Sequence, residues 1–208
     1  QKVLEKVIAI QPNQVVAYSQ LAMIYQKTGQ KVKFKETIAT LSSLGYKADF
    51  LEVNLAKSHI EEGNLDEALT LLNQSIENNK RNASALLNRS IVYYRKKDFE
   101  SALKDAQKVV EIDPLNAEAF EHLGKIAEFN DDFAKAKKFY EKVASLKPHT
   151  FGIYYKLGLI TSGFYMKKKK KALKYFEKAI LQDKNNVDAH YRLGVLLKET
   201  FNQPKKAE

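Results

Sequence analysis

A repeat of about 34 residues is the feature that most constrains what this chain can fold into. Leucine followed by glycine occurs three times, at intervals of 34 and 36 residues: Leu123-Gly124, Leu157-Gly158 and Leu193-Gly194. Steps of 34 residues back from Leu123 reach Arg89-Ser90, Leu55-Ala56 and Leu21-Ala22, so the second residue of each pair is small. A fixed period of this length predicts one supersecondary unit that is stacked repeatedly.

A second column of small residues shares the same period. It consists of Ala68, Ala102, Ala136 and Ala172. Within each unit the first column falls midway through one apolar helical pattern and the second falls early in the next, so each unit is predicted to be a pair of helices. Small residues at both columns permit the two helices to approach closely.

Helix boundaries are signalled by capping and breaking residues. Gly29 and Gly63 are predicted to end first helices, and Asn64, Asp98 and Asp132 to cap the second helices that follow. Asn64 and Glu67 have the spacing of a capping box. Three prolines at the same period are expected at the ends of second helices, namely Pro12, Pro114 and Pro148.

Composition agrees with an all-α fold and offers no catalytic or metal-binding motif. Glycine (8) and proline (4) are scarce, and no apolar run is long enough to cross a membrane. With no cysteine there is no disulfide or thiolate metal site, which favours the cytoplasm. The four histidines lack the spacing of metal ligands, and glycine-rich phosphate loops are absent, so no cofactor, metal or enzymatic activity is expected: His59, His122, His149 and His190.

The 34-residue helix pair with Leu-Gly, a later Ala and a terminal Pro resembles the tetratricopeptide repeat. The resemblance implies an all-α, right-handed α-solenoid of stacked antiparallel helix pairs. It extends over nearly the whole chain as a single array: a half-repeat at 1–14, repeats at 15–48, 49–82, 83–116, 117–150 and 151–186, and a partial repeat at 187–208.

Tyr46, Lys80 and Lys184 replace the terminal proline of the family pattern, and two further departures fall in the helical columns. Phe34 occupies the small-residue column of the first full unit, so its two helices are expected to pack further apart or in a shifted frame. Arg89 replaces the leucine of the first column. Its aliphatic stem is expected to cover the core while the guanidinium stays in water.

The family resemblance implies a protein–protein interaction scaffold that binds a peptide or helix of a partner in a concave groove lined by first helices. The sixth position of every unit carries a hydrogen-bonding side chain: Gln20, Asn54, Asn88, His122, Lys156 and Arg192. Asn54 and Asn88 are the favoured contacts, because an amide can pair with an extended backbone. Apolar anchors are expected on the same face at Phe50, Val53, Leu87, Tyr94, Tyr155 and Tyr191.

Two other interpretations of these residues stay open. The polar positions could be ordinary solvated side chains, and neighbouring helices could cover the apolar ones. A known subclass of the family grips terminal carboxylates of chaperone tails, and Asn88 matches its central asparagine. The flanking positions hold Val53, Lys57, Glu118 and His122 instead of the required Lys, Asn and Arg, so no carboxylate clamp is predicted.

The formal net charge of +10 is concentrated in one segment. Residues 164–184 hold eight lysines and two acidic residues, whereas the groove positions hold seven basic and six acidic residues. A nucleic-acid ligand is therefore not favoured. Five consecutive lysines lie where the period lengthens to 36: Lys167, Lys168, Lys169, Lys170 and Lys171. They are predicted to form a loop or a helix start. This segment is either a solvated turn or an accessory contact to an acidic partner or membrane surface.

A further alternative makes the chain the recruiting or regulatory arm of a longer catalytic protein. Residues 1–12 have the pattern of the second half of a repeat, and the last residues begin a helix without completing it. Terminal repeats that expose faces normally covered by a neighbour also permit homo-oligomers.

Overall fold

The computed structural model describes residues 1–45, 48–163 and 169–201. Within these ranges the chain forms twelve helices and no strand. The helices are α1 (Lys2–Ile10), α2 (Val15–Lys27), α3 (Lys31–Ser43), α4 (Ala48–Glu62), α5 (Leu65–Asn78), α6 (Ala83–Arg95), α7 (Phe99–Ile112), α8 (Ala117–Phe129), α9 (Phe133–Leu146), α10 (Ile153–Ser162), α11 (Lys169–Gln182) and α12 (Val187–Phe201). The chain divides into two compact units, 1–105 and 106–208. No described helix is long and apolar enough to cross a membrane.

In residues 1–105, consecutive helices pack as pairs. Helix α2 packs against α3, α4 packs against α5, and α6 contacts both α4 and α5. The predicted first column of small residues is buried here at Ala22, Ala56 and Ser90. The hydroxyl of Ser90 donates to the carbonyl of Ala102 at 2.6 Å, so α6 and α7 touch where the two small-residue columns meet.

In residues 106–208, buried rings one turn after the second column pack against glycines of the first column. Helix α8 packs against α9, and α11 packs against both α10 and α12. A Cβ on Gly124 would collide with the Tyr140 ring, and one on Gly158 would lie 2.6 Å from Cε1 of Phe176. Both rings are completely buried, so a side chain at either glycine would meet atoms that have no room to move.

The turn after the first helix of a pair carries a residue with left-handed backbone at the period of the repeat. The predicted glycines have φ of 69° at Gly29 and 84° at Gly63, and non-glycine residues adopt the same geometry at Lys97 (65°) and Asp131 (56°). The two glycine predictions are confirmed. Since such φ values strain a residue that has a Cβ, Lys97 and Asp131 are held there by the helices on either side.

The helix caps are partly as predicted. Asp98 accepts a hydrogen bond from the Ser101 amide at 3.1 Å, and Asp132 accepts one from the Lys135 amide at 3.0 Å, as expected. The capping box at Asn64 is wrong, since that side chain makes no capping hydrogen bond. Its amide donates instead to the Glu62 carboxylate at 3.3 Å.

Three asparagine caps were not predicted. They lie before the first helices α6, α8 and α12, and each side-chain oxygen accepts from the amide three residues ahead: Asn82, Asn116 and Asn186. Asn82 and Asn116 are one 34-residue period apart, so the repeat itself could have revealed them.

The departure at Arg89 is accommodated by an ion pair, so the prediction that its guanidinium lies in water is wrong. Nε and Nη2 donate to the two carboxylate oxygens of Asp105 at 2.7 and 2.8 Å, and Nη1 donates to Asn73 at 2.8 Å. The Asp105 side chain is 8% exposed. The carboxylate raises the pKa of Arg89 by hydrogen bonding to the charged form, which outweighs the effect of burial.

The departure at Phe34 shifts the buried face of α3. Phe34 stays partly exposed, whereas Thr37 and Leu41 further along the helix are buried. The corresponding columns of α5 and α9 bury Ala68 and Ala136 completely. Helix α3 therefore packs in a shifted frame, as the aromatic residue in the small column predicts.

Candidate partner-binding surfaces

A groove between the first helices α4 and α6 is a candidate site in residues 1–105. Its cavity measures about 380 Å³. We call it the α4–α6 groove, and its lining consists of Asp49, Phe50, Val53, Asn54, Lys57, Asn79, Arg81, Asn82, Ala83 and Ser84. The first five belong to α4, and the others to the connection after α5 and the start of α6.

The groove combines an apolar surface with polar groups. The Phe50 side chain is 53% exposed at the groove, whereas Val53 is buried beneath it. Nδ2 of Asn54 donates to the Phe50 carbonyl at 3.0 Å. Oδ1 of Asn54 has no hydrogen-bond partner among the described residues, and is therefore available to accept one from a ligand.

The opposite wall is held in place by Asn82. Its Nδ2 donates to the Ser75 hydroxyl at 3.1 Å, while its Oδ1 caps α6 through the Ala85 amide at 3.0 Å. The Ser75 hydroxyl in turn donates to the Asp49 carbonyl at 3.4 Å. This network ties α4, α5 and α6 together, so the groove is preformed on one side.

Three predicted contact residues lie below the surface. Leu87 and Asn88 on α6 and His122 on α8 are all buried. Nδ2 of Asn88 donates to the Ser84 carbonyl at 2.7 Å, which uses one of its two N–H groups. Tyr94 packs edge-to-face on Phe99, with ring centroids 5.4 Å apart. Contact of Leu87, Asn88, Tyr94 and His122 with a partner stays a prediction. The burial of Leu87, Asn88 and His122 gives it no support.

Predicted residues on α10 are engaged within their own unit. The Tyr155 ring lies 5.8 Å from the Phe176 ring, and Lys156 Nζ forms an ion pair with Glu121 Oε1 at 3.3 Å. Lys125 contacts the same oxygen at 3.0 Å. Burial raises the pKa of Glu121, but the two lysines outweigh it and hold that pKa below its usual value.

Helix α12 presents two exposed residues of the predicted set. Tyr191 is 67% exposed, and Arg192 beside it is also exposed. They are neighbours in sequence, so their side chains leave the helix about 100° apart, and the ring and the guanidinium are both accessible to solvent. This pair forms the second candidate surface, which we call the α12 pair.

The lysine run is only partly described. Lys167 and Lys168 lie outside the described residues, and Lys169, Lys170 and Lys171 form the first turn of α11, as the helix-start alternative predicts. Lys169 Nζ lies 3.0 Å from Glu199 Oε2, and Lys171 Nζ lies 3.2 Å from Glu141 Oε1. Two of these three ammonium groups are thus paired within the chain, which weakens the case for an anionic surface as their partner.

Metal chemistry has no support in the described ranges. No group of three or more His, Asp or Glu side chains is gathered there in a way that could hold a metal ion. His59 on α4 and His122 on α8 belong to separate units.

Sequence reasoning found the α4 side of the groove and missed the opposite wall. Phe50, Val53 and Asn54 were expected from their places in the repeat. Asn82 and Ser84 were not, although the asparagine cap recurs one period later. No signal in the sequence marks Arg81, which enters the lining through the turn between α5 and α6.

The chain contains tetratricopeptide repeats. Residues 53–117 and residues 117–150 match two models of the tetratricopeptide repeat. The fold of stacked helical repeats is shared with solved proteins along most of the chain, which confirms the all-α helical-repeat solenoid class. These repeats support a general role as a protein-interaction scaffold.

Three known proteins illustrate the similarity. The Hsp70-Hsp90 organizing protein of Triticum aestivum is 26% identical over an alignment of 108 residues, and the match covers 49% of this chain and 19% of that protein. The chain thus spans about a fifth of that relative's length. The pilF protein of Pseudomonas aeruginosa has a TM-score of 0.71 at 20% identity, with 93% of this chain and 86% of that chain covered. YrrB, described as a tetratricopeptide repeat protein with an unusual peptide-binding site, has a TM-score of 0.65 at 21% identity, with 76% and 79% covered.

Proposed function

We propose that the chain is a non-catalytic scaffold that holds an extended segment of a partner protein in the α4–α6 groove. The observation that carries the proposal is the exposed Phe50 ring beside the unpartnered Oδ1 of Asn54, on a preformed wall. A peptide N–H donates to this oxygen, and an apolar side chain of the segment packs on Phe50 and Val53. Backbone pairing with side-chain pockets is a common mode of peptide recognition.

The charge around the groove supports a peptide rather than a polyanion. Lys57 and Arg81 are exposed at its lining, and Asp49 lies among them. A mixed lining of this kind suits a polypeptide with its own mixed charges. A nucleic acid instead requires a basic surface that neutralises several phosphates.

The test is a peptide-display selection followed by titration of a fluorescent selected peptide into the full chain. Phe50→Ala removes the exposed anchor and is expected to weaken binding about tenfold or more. Asn54→Ala removes the backbone acceptor and is expected to weaken it by roughly three- to tenfold. Fluorescence anisotropy measures both dissociation constants.

Matched controls separate the groove from a general loss of surface. Phe151→Ala removes an exposed phenylalanine of the other unit, and Asn78→Ala removes an exposed asparagine at the end of α5. Neither residue lines the groove, and neither change is expected to alter binding. Selected peptides that bind the Phe50 and Asn54 variants as tightly as the unchanged chain would contradict the proposal.

The α12 pair supports a second contact of the same scaffold. Its exposed ring and guanidinium form the kind of aromatic and arginine surface that often dominates a protein interface. Tyr191→Ala is expected to weaken capture of a partner segment that reaches this helix, while leaving short peptides in the α4–α6 groove unaffected. The alternative role as the recruiting arm of a longer catalytic protein stays a prediction, which the complete reading frame tests.

A further inference from the structure

A second cavity in residues 1–105 lies between α3, α4 and α5. It measures about 170 Å³, and we call it the α3–α5 cavity. Its lining consists of Phe34, Ile38, Leu51, Glu52, Leu55, Leu71 and Gln74. None of these residues lines the α4–α6 groove, so α4 contributes to two separate sites.

The cavity exists because the repeat pattern is broken at Phe34. Elsewhere the same column holds an alanine, and the facing helix closes against it, as at Ala68. The benzyl side chain of Phe34 is too large for that position, so α3 packs in its shifted frame. Phe34 and Ile38 are left partly exposed beside the buried Leu51 and Leu55, and the space between them stays open.

One charged side chain of this apolar cavity lacks a partner. Oε2 of Glu52 is buried and has no hydrogen-bond partner among the described residues. Burial raises the pKa of Glu52, and the nearby carboxylate of Asp49 raises it further. An unpaired buried carboxylate is costly, so a ligand that supplies a hydrogen-bond donor with a positive charge gains more here than in water.

The size of the cavity limits the apolar part of such a ligand. An engineered protein cavity of about 150 Å³ holds benzene, so this one fits a single side chain of similar bulk. The four methylenes of lysine meet the size requirement and end in a compact ammonium with three donors. The planar guanidinium of arginine is best matched by a bidentate partner, whereas here a single carboxylate oxygen is buried without one.

We propose that the α3–α5 cavity binds a lysine side chain of a partner protein, with its methylenes on Phe34, Ile38 and Leu55 and its ammonium paired with the Glu52 carboxylate, which turns its buried oxygen toward the ligand. The inference rests on the proposed function only in that the lysine belongs to a protein held by this scaffold. Its position on α4 places a charge-selective contact next to, but distinct from, the peptide groove.

The experiment titrates two matched probes into the full chain labelled with ¹³C at isoleucine and leucine methyls. One probe is Nα-acetyl-lysine N-methylamide, and the other is Nα-acetyl-norleucine N-methylamide, which keeps the stem and lacks the ammonium. Methyl shifts are expected at Ile38, Leu51, Leu55 and Leu71. The lysine probe is expected to bind about tenfold more tightly, from the charge-assisted hydrogen bond to Glu52.

Two variants test the role of the carboxylate. Glu52→Gln keeps the shape and removes the charge, and is expected to abolish the tenfold preference for lysine. Glu67→Gln makes the same charge change on the exposed face of α5 and is expected to leave the preference intact. Thermal melting by circular dichroism checks that both variants fold.

Several outcomes would overturn the inference. Equal affinities for the two probes, a lysine preference that survives Glu52→Gln, or an absence of methyl shifts would each do so. n-Butylammonium that binds when the amide-flanked lysine does not would assign the cavity to small amines, which also overturns it. Peptide binding that still depends on Phe50 would show that the groove proposal stands even if this one fails.

Discussion

Two departures from the helical columns of the repeat lie in residues 1–105, and the chain accommodates them in opposite ways. Arg89 replaces a leucine of the first column and meets Asp105, which accepts two of its hydrogen bonds. Phe34 replaces an alanine of the second column, and no neighbour fills the space that it opens. The first departure is compensated within the fold, and the second leaves a cavity.

The difference shows where a repeat protein can acquire a binding site. Each repeat packs only on its neighbours, so an altered column position affects one helix pair and leaves the others unchanged. A compensated change such as Arg89 becomes part of the core. An uncompensated one exposes an apolar cavity with the unpartnered oxygen of Glu52, which is a surface that a ligand can complete.

The largest expected effect comes from breaking the compensated departure. Asp105→Ala leaves the Arg89 guanidinium half-buried without its carboxylate and is expected to lower the free energy of unfolding by about 3 kcal/mol. Urea denaturation followed by circular dichroism measures the change.

The control for this prediction restores the repeat pattern. A double variant, Arg89→Leu with Asp105→Leu, places leucine back in the first column and removes both charges. We expect its stability to lie within about 1 kcal/mol of the unchanged chain, because apolar replacements of buried ion pairs are well tolerated. A double variant as unstable as Asp105→Ala would show that the attraction between the two charges holds α6 to α7. The loss in Asp105→Ala would then not come from leaving the Arg89 charge unpaired.

An intact column provides the reference for both departures. Gly158→Ala introduces a Cβ 2.6 Å from the Phe176 ring and is expected to cost roughly 2 kcal/mol by overpacking. Phe176→Leu in the same chain removes the colliding ring edge and is expected to recover part of that loss. Thermal unfolding of Gly158→Ala, Phe176→Leu and the double variant measures this coupling. Additive losses would mean that glycine is required for a reason other than the ring.

Periodicity made most of the fold predictable, because the same packing problem is solved in every unit. Ala68, Ala102, Ala136 and Ala172 are completely buried, and Gly63 ends its helix with positive φ as expected. Arg89 was placed wrongly because its partner, Asp105, lies on the next helix and is no part of the repeat signal. Long-range compensation of this kind follows from neighbouring side chains and not from the period.

The candidate site was less predictable than the fold. Position within the unit located Phe50 and Asn54 on the groove, since helical geometry decides which face they share. It also selected Asn88 and His122, which are buried. Exposure at a fixed repeat position varies with what covers each helix, and the repeat pattern contains no information on that cover.

Filling the cavity should remove the contrast between the two departures. Glu52→Leu replaces the unpartnered carboxylate with a side chain that can occupy the α3–α5 cavity, and is expected to stabilise the chain by about 1 kcal/mol. The same variant should lose the methyl shifts caused by the lysine probe. Leu71→Ala, which enlarges the cavity, is the opposite control and should destabilise the chain. A destabilising effect of Glu52→Leu would indicate that the carboxylate contributes to the fold.

The smallest expected effect compares a paired and an unpaired glutamate by their pH dependence. Burial raises the pKa of Glu141, but hydrogen bonds from Lys137, Tyr175 and Lys171 outweigh it and lower that pKa to about 2 from 4.5. The unfolded chain therefore binds more protons between pH 4.5 and 2, so this contribution to stability is present above pH 4.5 and is lost as the pH falls through that window. Since Glu141 is partly exposed, solvent screening reduces its contribution to about 1 kcal/mol or less.

Glu52 has the opposite sign, because its pKa in the folded chain lies above 4.5. Above pH 4.5 the folded chain therefore binds more protons than the unfolded chain, so the contribution of Glu52 to stability falls as the pH rises through its raised pKa. Urea titrations at a series of pH values should show that Glu141→Gln flattens the acid loss of stability, whereas Glu52→Gln raises stability at neutral pH and leaves the acid limb unchanged. If Glu141→Gln and Glu52→Gln changed the pH dependence of stability in the same direction, the distinction between the two carboxylates would be contradicted. Glu141 is the one whose charge is compensated within the chain, and Glu52 is the one whose charge is left for a ligand.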